Sequence, residues 1–350
     1  MTIARVGHSA TLLDDGTVLI AGGRNLLGVP LASCEIYEPA QGTFSLITSM
    51  RIPRDDHSAT LLPDGTVLIA GGESFGGKVL KSTEIYQPAS RCFLSGPSMI
   101  HPRVNHTATA LPDGTMLIAG GQSDDNDSLS QVKIYDLRNQ TFTPAADMCT
   151  ARANHTATLL GNGKVLIVGG ESLQTRGSHS NLSREAESHP APSAVPGAEL
   201  YDIATRTFAP CSAQLSDRNF HTATLLPDGC VLIAGSVTID GRVLEEAFTY
   251  DPVADAFRIT ATGMSHSRAN HAAALITDDG VLLCGGFNAS GLLRSAEQYD
   301  PETDGFAPAG EMVTERNFHT ATLLKNGQVL IVGGENARGR ALDSAELYRA

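Results

Sequence analysis

Basic side chains are scarce in this chain. Lys and Arg number 25 against 38 Asp and Glu, which gives its 350 residues a formal charge of −13. So acidic a surface argues against general binding to nucleic acid or to an anionic membrane, because phosphate contact needs an excess of Lys and Arg. Cysteine is also thin: six residues with no C-x-x-C spacing read as scattered small apolar side chains, not as a disulfide scaffold. No apolar run approaches the roughly 20 residues of a membrane span. The opening MTIARVGHSA has no apolar signal core, so no secretory leader is expected and the compartment stays open. With 41% hydrophobic and 18% charged residues the chain reads as a soluble globular protein.

What is present in abundance is a repeat. Seven segments align without gaps, from RVGHSATLLDDGTVLIAGG at Arg5 to RNFHTATLLKNGQVLIVGG at Arg316. Their starting arginines are Arg5, Arg54, Arg103, Arg152, Arg218, Arg268 and Arg316, and each lies 17 residues before a GG or GS pair. The steps between them are 49, 49, 49, 66, 50 and 48 residues, so only the fourth unit is long, with an inserted loop at 171–197.

Each unit reads as four short antiparallel strands. HSATLL is a Thr-rich alternating strand, and a PDG or NG turn follows it. TVLIAGG, apolar at consecutive positions, suits a strand covered on both faces. A third strand ends in Tyr, and a fourth carries Phe seven residues later, at Phe44, Phe93, Phe142, Phe208, Phe257 and Phe306. Such a unit cannot bury both faces alone, so the units must stack around an axis as a propeller of seven blades.

With its GG pair after strand two, Tyr in strand three and aromatic in strand four, the chain resembles the kelch-repeat β-propellers over essentially its whole length. The resemblance implies one all-β domain over 1–350, a seven-bladed propeller. Many kelch repeats place Trp where this chain has Phe, a change that keeps the apolar slot. The Phe due after Tyr348 would fall at 355, past Ala350, and no equivalent precedes Arg5. A three-stranded last blade is therefore expected, the alternative being that the chain is part of something longer. Its exposed edge would be a place for dimerisation or partner docking. A monomer is the default expectation.

The resemblance places the Arg approach and the loop after GG on one face, the usual kelch binding face. The seven His (His8, His57, His106, His155, His221, His271 and His319) are too equivalent for a metal site, which uses three or four ligands at unlike positions. They are expected to hydrogen-bond backbone between blades. All seven Tyr are spent on strand three, which leaves none for the Tyr-ligated copper of the galactose-oxidase branch. No metal and no cofactor is expected.

The informative positions are those between Arg and His: Val6-Gly7, Asp55-Asp56, Val104-Asn105, Ala153-Asn154, Asn219-Phe220, Ala269-Asn270 and Asn317-Phe318. After GG come Arg24, Glu73, Gln122, Glu171, Val237, Phe287 and Glu335. Phe220, Phe287 and Phe318, from blades five to seven, should cluster on one side of the mouth, with Asp55, Asp56 and Glu73 of blade two across the channel. Asn105, Asn154 and Asn270 complete the rim, and Arg218, Arg268 and Arg316 could offer a guanidinium fork to a carboxylate. Such a mouth suits a sugar, or a peptide with a basic and an apolar group.

SDDNDS at 123–128 lacks the Gly and distal Glu of a calcium loop and reads as a solvated acidic loop. The blade-four insertion, with His179 and His189, reads as a flexible excursion. No GxSxG, HExxH or P-loop is present. The sequence thus favours a non-catalytic scaffold for a peptide, protein or glycan. The alternative is a carbohydrate-active enzyme resembling kelch sugar epimerases, drawing acid–base residues from the mouth.

Overall fold

A computed structural model describes residues 1–173, 193–195, 197–212, 215–276 and 280–349. The chain is an all-β, seven-bladed propeller. Six blades hold four antiparallel strands in sequential order and the last holds three. In blade one these run Ser9–Leu12, Val18–Ala21, Cys34–Glu38 and Thr43–Ile47. The first strands line the axis in cyclic order, and Ser9–Leu12 neighbours both Ser58–Leu61 and Thr320–Leu323, which closes the ring.

In six blades the hairpin between first and second strands is set by an Asx turn. Asp15 Oδ1 accepts from the amide and the hydroxyl of Thr17 at 2.9 and 2.7 Å, and Asp64–Thr66 and Asp113–Thr115 repeat it. The second strands are buried throughout, apart from the half-buried Thr115 and Lys164 that open those of blades three and four. Their side chains pack between blades, so Leu19 and Ile36 of blade one share a cluster with Val67, Ile69 and Tyr86 of blade two. Val18, Ile20 and Tyr37 meet Leu324, Leu330 and Val332 in the same way across the ring closure. Tyr and Phe of strands three and four sit in register, with ring centroids 4.7–5.2 Å apart in six blades. Tyr348 ends the edge strand Ala345–Tyr348 of blade seven, which pairs only with Val329–Val332.

The GG pair exists because the next blade's entry segment passes very close. Gly22 and Gly23 have φ of 62° and 87°. A Cβ on Gly22 would lie 2.4 Å from the Arg54 carbonyl oxygen, which accepts from Gly23 N–H at 2.9 Å. A methionine four residues before the Arg packs on the first Gly of such pairs, as Met50 does on Gly22. Met1 fills that slot against Gly333, and Gly334 N–H donates to Arg5 O at 3.0 Å. The ring therefore closes through the entry segment, without a fourth strand.

Candidate functional site

The residue two after each Arg forms the innermost rim of the mouth, and in every blade its backbone is left-handed. Gly7, Asp56, Asn105, Asn154 and Asn270 have φ of 65°, 48°, 55°, 54° and 53°. Gly, Asn and Asp tolerate this region best, so their recurrence at this position follows from the backbone. Phe220 and Phe318 hold φ of 55° and 52° at the same position, where a bulky side chain is strained.

Amide-to-carbonyl bonds link the rim residues from blade to blade. Asp56 N–H donates to Gly7 O (3.0 Å), Asn154 to Asn105 O (3.1 Å) and Asn270 to Phe220 O (2.8 Å). At blade five the chain is interrupted, and Phe220 N–H turns to Asn219 Oδ1 at 3.0 Å; the amides of Phe318 and Gly7 likewise donate to no rim carbonyl among the described residues.

Two groupings emerge. On blades three to six a cavity of about 240 Å³ is lined by Asn105, Asn154, Phe220 and Asn270 together with Thr156, His106, His155, His221 and His271. Beside it, Glu171 accepts from Asn154 Nδ2 (2.9 Å) and Asn219 Nδ2 (3.0 Å). On blades one, two and seven, Arg24 Nη1 donates to Asp55 Oδ2 (2.9 Å) and Asp56 Oδ2 (3.2 Å) while its guanidinium lies 5.6 Å from the Phe318 ring centroid.

The acids in this second grouping are electrostatically crowded. Burial, with the charge of Asp55 beside it, pushes the Asp56 carboxyl up to about 6 against the pull of Arg24. Glu73 is raised too, by desolvation and by Asp55. Phe318 thus stands with the acidic pair through Arg24, while Phe220 lines the cavity of blades three to six. Phe287 stands apart, half-buried in a short hairpin with Leu292 and paired through its backbone with Ala269.

Arg218, Arg268 and Arg316 do not reach the mouth. All seven repeat arginines are at most 1% exposed. Arg268 Nη1 donates to Gly285 O and Ser295 O, and its Nη2 to Glu297 Oε1 at 2.6 Å. Arg316 does the same with Gly333, Ser344 and Glu346. Arg218 lies 4.7 Å over the ring of Phe248, which stands where five other blades have Glu, and Arg218 Nη2 donates to Ser216 Oγ. A fork fixed inside the fold is not free to grip a carboxylate.

The histidines join blades through side chains, where a backbone partner was expected. His57 Nε2 meets Ser9 Oγ at 2.9 Å and His106 meets Ser58 Oγ at 2.8 Å. His155, His221 and His271 meet Thr107, Thr156 and Thr222, each at 2.9 Å. Burial and the charge of the nearby repeat Arg depress the imidazoles, to about 3 for His57, His155, His221 and His319. They are neutral at pH 7.

Sequence reasoning passed over Arg24 as a site residue. Its signal was available: it is the single cation after a GG pair, facing the single acidic pair between Arg and His. Also missed were apolar loop tips of blades one and two, with Leu26, Leu27 and Phe75 at 56, 83 and 61% exposure. The 123–128 loop is tied down, since Asp124 Oδ1 accepts from Val79 N–H of blade two at 2.9 Å. His179, His189 and most of the 171–197 insertion lie outside the described residues. Among the described residues no cluster of three or more His, Cys, Asp and Glu is placed to hold a metal ion, and no helix is long and apolar enough to cross a membrane.

The kelch motif matches this chain at residues 102–148 and 268–312. Among solved structures, a fungal alcohol oxidase of the AA5 family in complex with copper is similar, with 16% identity and a TM-score of 0.74. That likeness covers 99% of this chain and 74% of the oxidase. At that identity it speaks for fold alone. No curated protein sequence matches. The fold is a seven-bladed β-propeller, and two of its seven like blades, the third and the sixth, match the kelch motif. The tyrosines sit in third strands, and in six blades the ring stacks on a Phe of the fourth strand.

Proposed function

We propose that this chain is a non-catalytic binding scaffold whose channel mouth takes a peptide segment of a protein partner, or a glycan. The observation that carries this reading is the pair of aromatics, Phe220 and Phe318, held in left-handed backbone where the other five blades use Gly, Asp or Asn. Strain of this kind costs on the order of 1–3 kcal/mol and calls for a compensating role. Phe220 borders the cavity, and Phe318 carries Arg24 and its acids. Leu26 and Leu27, two and three residues after Arg24, and Phe75, two after Glu73, are exposed apolar side chains, which favours a peptide with apolar and basic groups.

A thermal-shift screen with monosaccharides, sialic acids, and basic and acidic peptides tests the reading, because a ligand of the folded state raises the midpoint by mass action. Support would be a shift that disappears in Phe220→Asn or Phe318→Asn. Silence across the panel, followed by failure of pull-downs to depend on either Phe, would refute it.

A second reading, a carbohydrate-active enzyme, is favoured by one feature: Asp56, raised to about 6 beside Asp55, is poised for proton transfer. Under that reading Asp56→Asn abolishes turnover of a bound sugar and leaves its affinity in place. For the solution state we take a monomer, with the Ala345–Tyr348 edge as the place where a second copy would add a strand.

A further inference from the structure

Five of the seven blades bury the same ion-pair device. In blade one, Glu35 accepts from Arg5 Nη2 (2.9 Å) and from the amides of Thr2 (2.7 Å) and Ile3 (3.2 Å). Glu84 repeats it with Arg54, Arg51 and Ile52; Glu199 with Arg152, Cys149 and Thr150. Glu297 and Glu346 do so in blades six and seven. One carboxylate thus meets three donors that converge because the entry segment bends over the third strand.

Blade three keeps the donors and lacks the acid. Lys133 stands where the Glu belongs, two residues before Tyr135. Arg103 is still fixed by Gly120 O (2.7 Å) and Gln131 O (3.2 Å), so its guanidinium takes the same pose as in the other blades. Its Nη2, the atom that elsewhere meets the carboxylate, is buried without a partner. Arg103 is 0% and Lys133 5% exposed. Among the described residues neither forms an ion pair, and no acidic side chain accepts from the amides of Ile100 and His101. Arg103, Lys133 and His101 all have their proton affinity lowered by burial; Arg103 also weighs on Lys133, and both of them on His101, while the Asp147 carboxylate nearby pulls all three the other way without forming an ion pair with them. Blade five solves the same loss differently, by placing Phe248 under Arg218.

We propose that the blade-three junction is an anion site for a carboxylate, held by Arg103 Nη2, the Ile100 and His101 amides and the Lys133 ammonium. The repeat supplies the geometry: three of these donors occupy the positions that grip a glutamate in five sister blades, and Lys133 adds a fourth. Ile100, 52% exposed, and His101, also exposed, carry the two amides at the protein surface. The carboxylate could be a free small acid or the side chain of an acidic peptide, and the two sources share the chemistry. This site is separate from the mouth and does not rest on the binding reading above.

The test is the unfolding midpoint of the full chain at pH 7 and fixed ionic strength, titrated with sodium acetate and, in a second arm, with a blocked Glu tripeptide. Lys133→Glu restores the residue of the sister blades, so it is expected to fold. Wild type should show a saturable rise of about 2–3 °C. Lys133→Glu should start higher and show no rise. A response in both arms means the site admits side chains; acetate alone means it takes small acids only. Equal responses from wild type and Lys133→Glu, or a lower starting midpoint in the variant, would overturn the proposal.

Discussion

Cys284 Sγ lies 3.6 Å from His319 Nε2, in the role that a Ser or Thr hydroxyl plays toward the histidine at the other six junctions. Blade six reads HAAAL, so Ala272 has no hydroxyl to offer; Cys284, its register partner on the second strand, supplies the polar atom. Burial holds that thiol near 12, so it stays protonated. Cys284→Ala should cost about 1–3 kcal/mol by leaving His319 unpartnered. Ala272→Thr should recover most of it in the double variant. Urea midpoints of the four proteins check this, and simple additivity would contradict it.

Buried Arg–Glu pairs make a second prediction. Glu84 satisfies Arg54 Nη2 and two amides at once, with both side chains at most 3% exposed. Glu84→Ala should destabilise by about 3–5 kcal/mol, since it strands a buried cation. Chemical denaturation measures it, and a loss under 1 kcal/mol would show that water replaces the carboxylate freely.

The histidine ring makes stability depend on pH. An imidazole held near 3 in the fold and near 6.5 unfolded takes up protons preferentially in the unfolded chain. Stability is then full above pH 6.5 and declines as pH falls toward 3. Each such His should cost on the order of 2 kcal/mol by pH 5. Thermal midpoints from pH 8 to 4 should fall steeply below 6.5; a flat profile would contradict it.

Asp56 works in the opposite direction. Its carboxyl, raised to about 6, is favourable when protonated, and that contribution is lost as pH rises through 6. Asp56→Asn should raise the midpoint at pH 8, with the gain fading below pH 5. Asn also suits the left-handed backbone there, as it does in Asn105 and Asn154. A loss of stability at pH 8 would mean that the Arg24 contact outweighs the crowding.

The fold was legible because its signals are local and repeated. The apolar second strands, the D-G turns and the Tyr–Phe spacing each recur up to seven times, and even the three-stranded last blade followed from counting to the missing Phe. The site was harder to read. Arg218 and Arg268 looked like rim residues from their sequence position beside Phe220 and Asn270, but a single residue separates a buried guanidinium from the open mouth. The glutamates that hold the arginines sit 29 or 30 residues away on the third strand, and 47 away in blade four, so no local pattern links them. Arg24 and Phe318 are 294 positions apart, and only ring closure brings them together.

The most direct measurement takes the Phe220→Asn, Phe318→Asn double variant through the ligand screen alongside wild type. If both aromatics are kept for binding at the cost of backbone strain, the variant unfolds at a higher midpoint, by about 1–3 kcal/mol in stability. It also loses the ligand-induced shift that wild type shows. A variant that is less stable than wild type, or that keeps the full shift, would contradict the account.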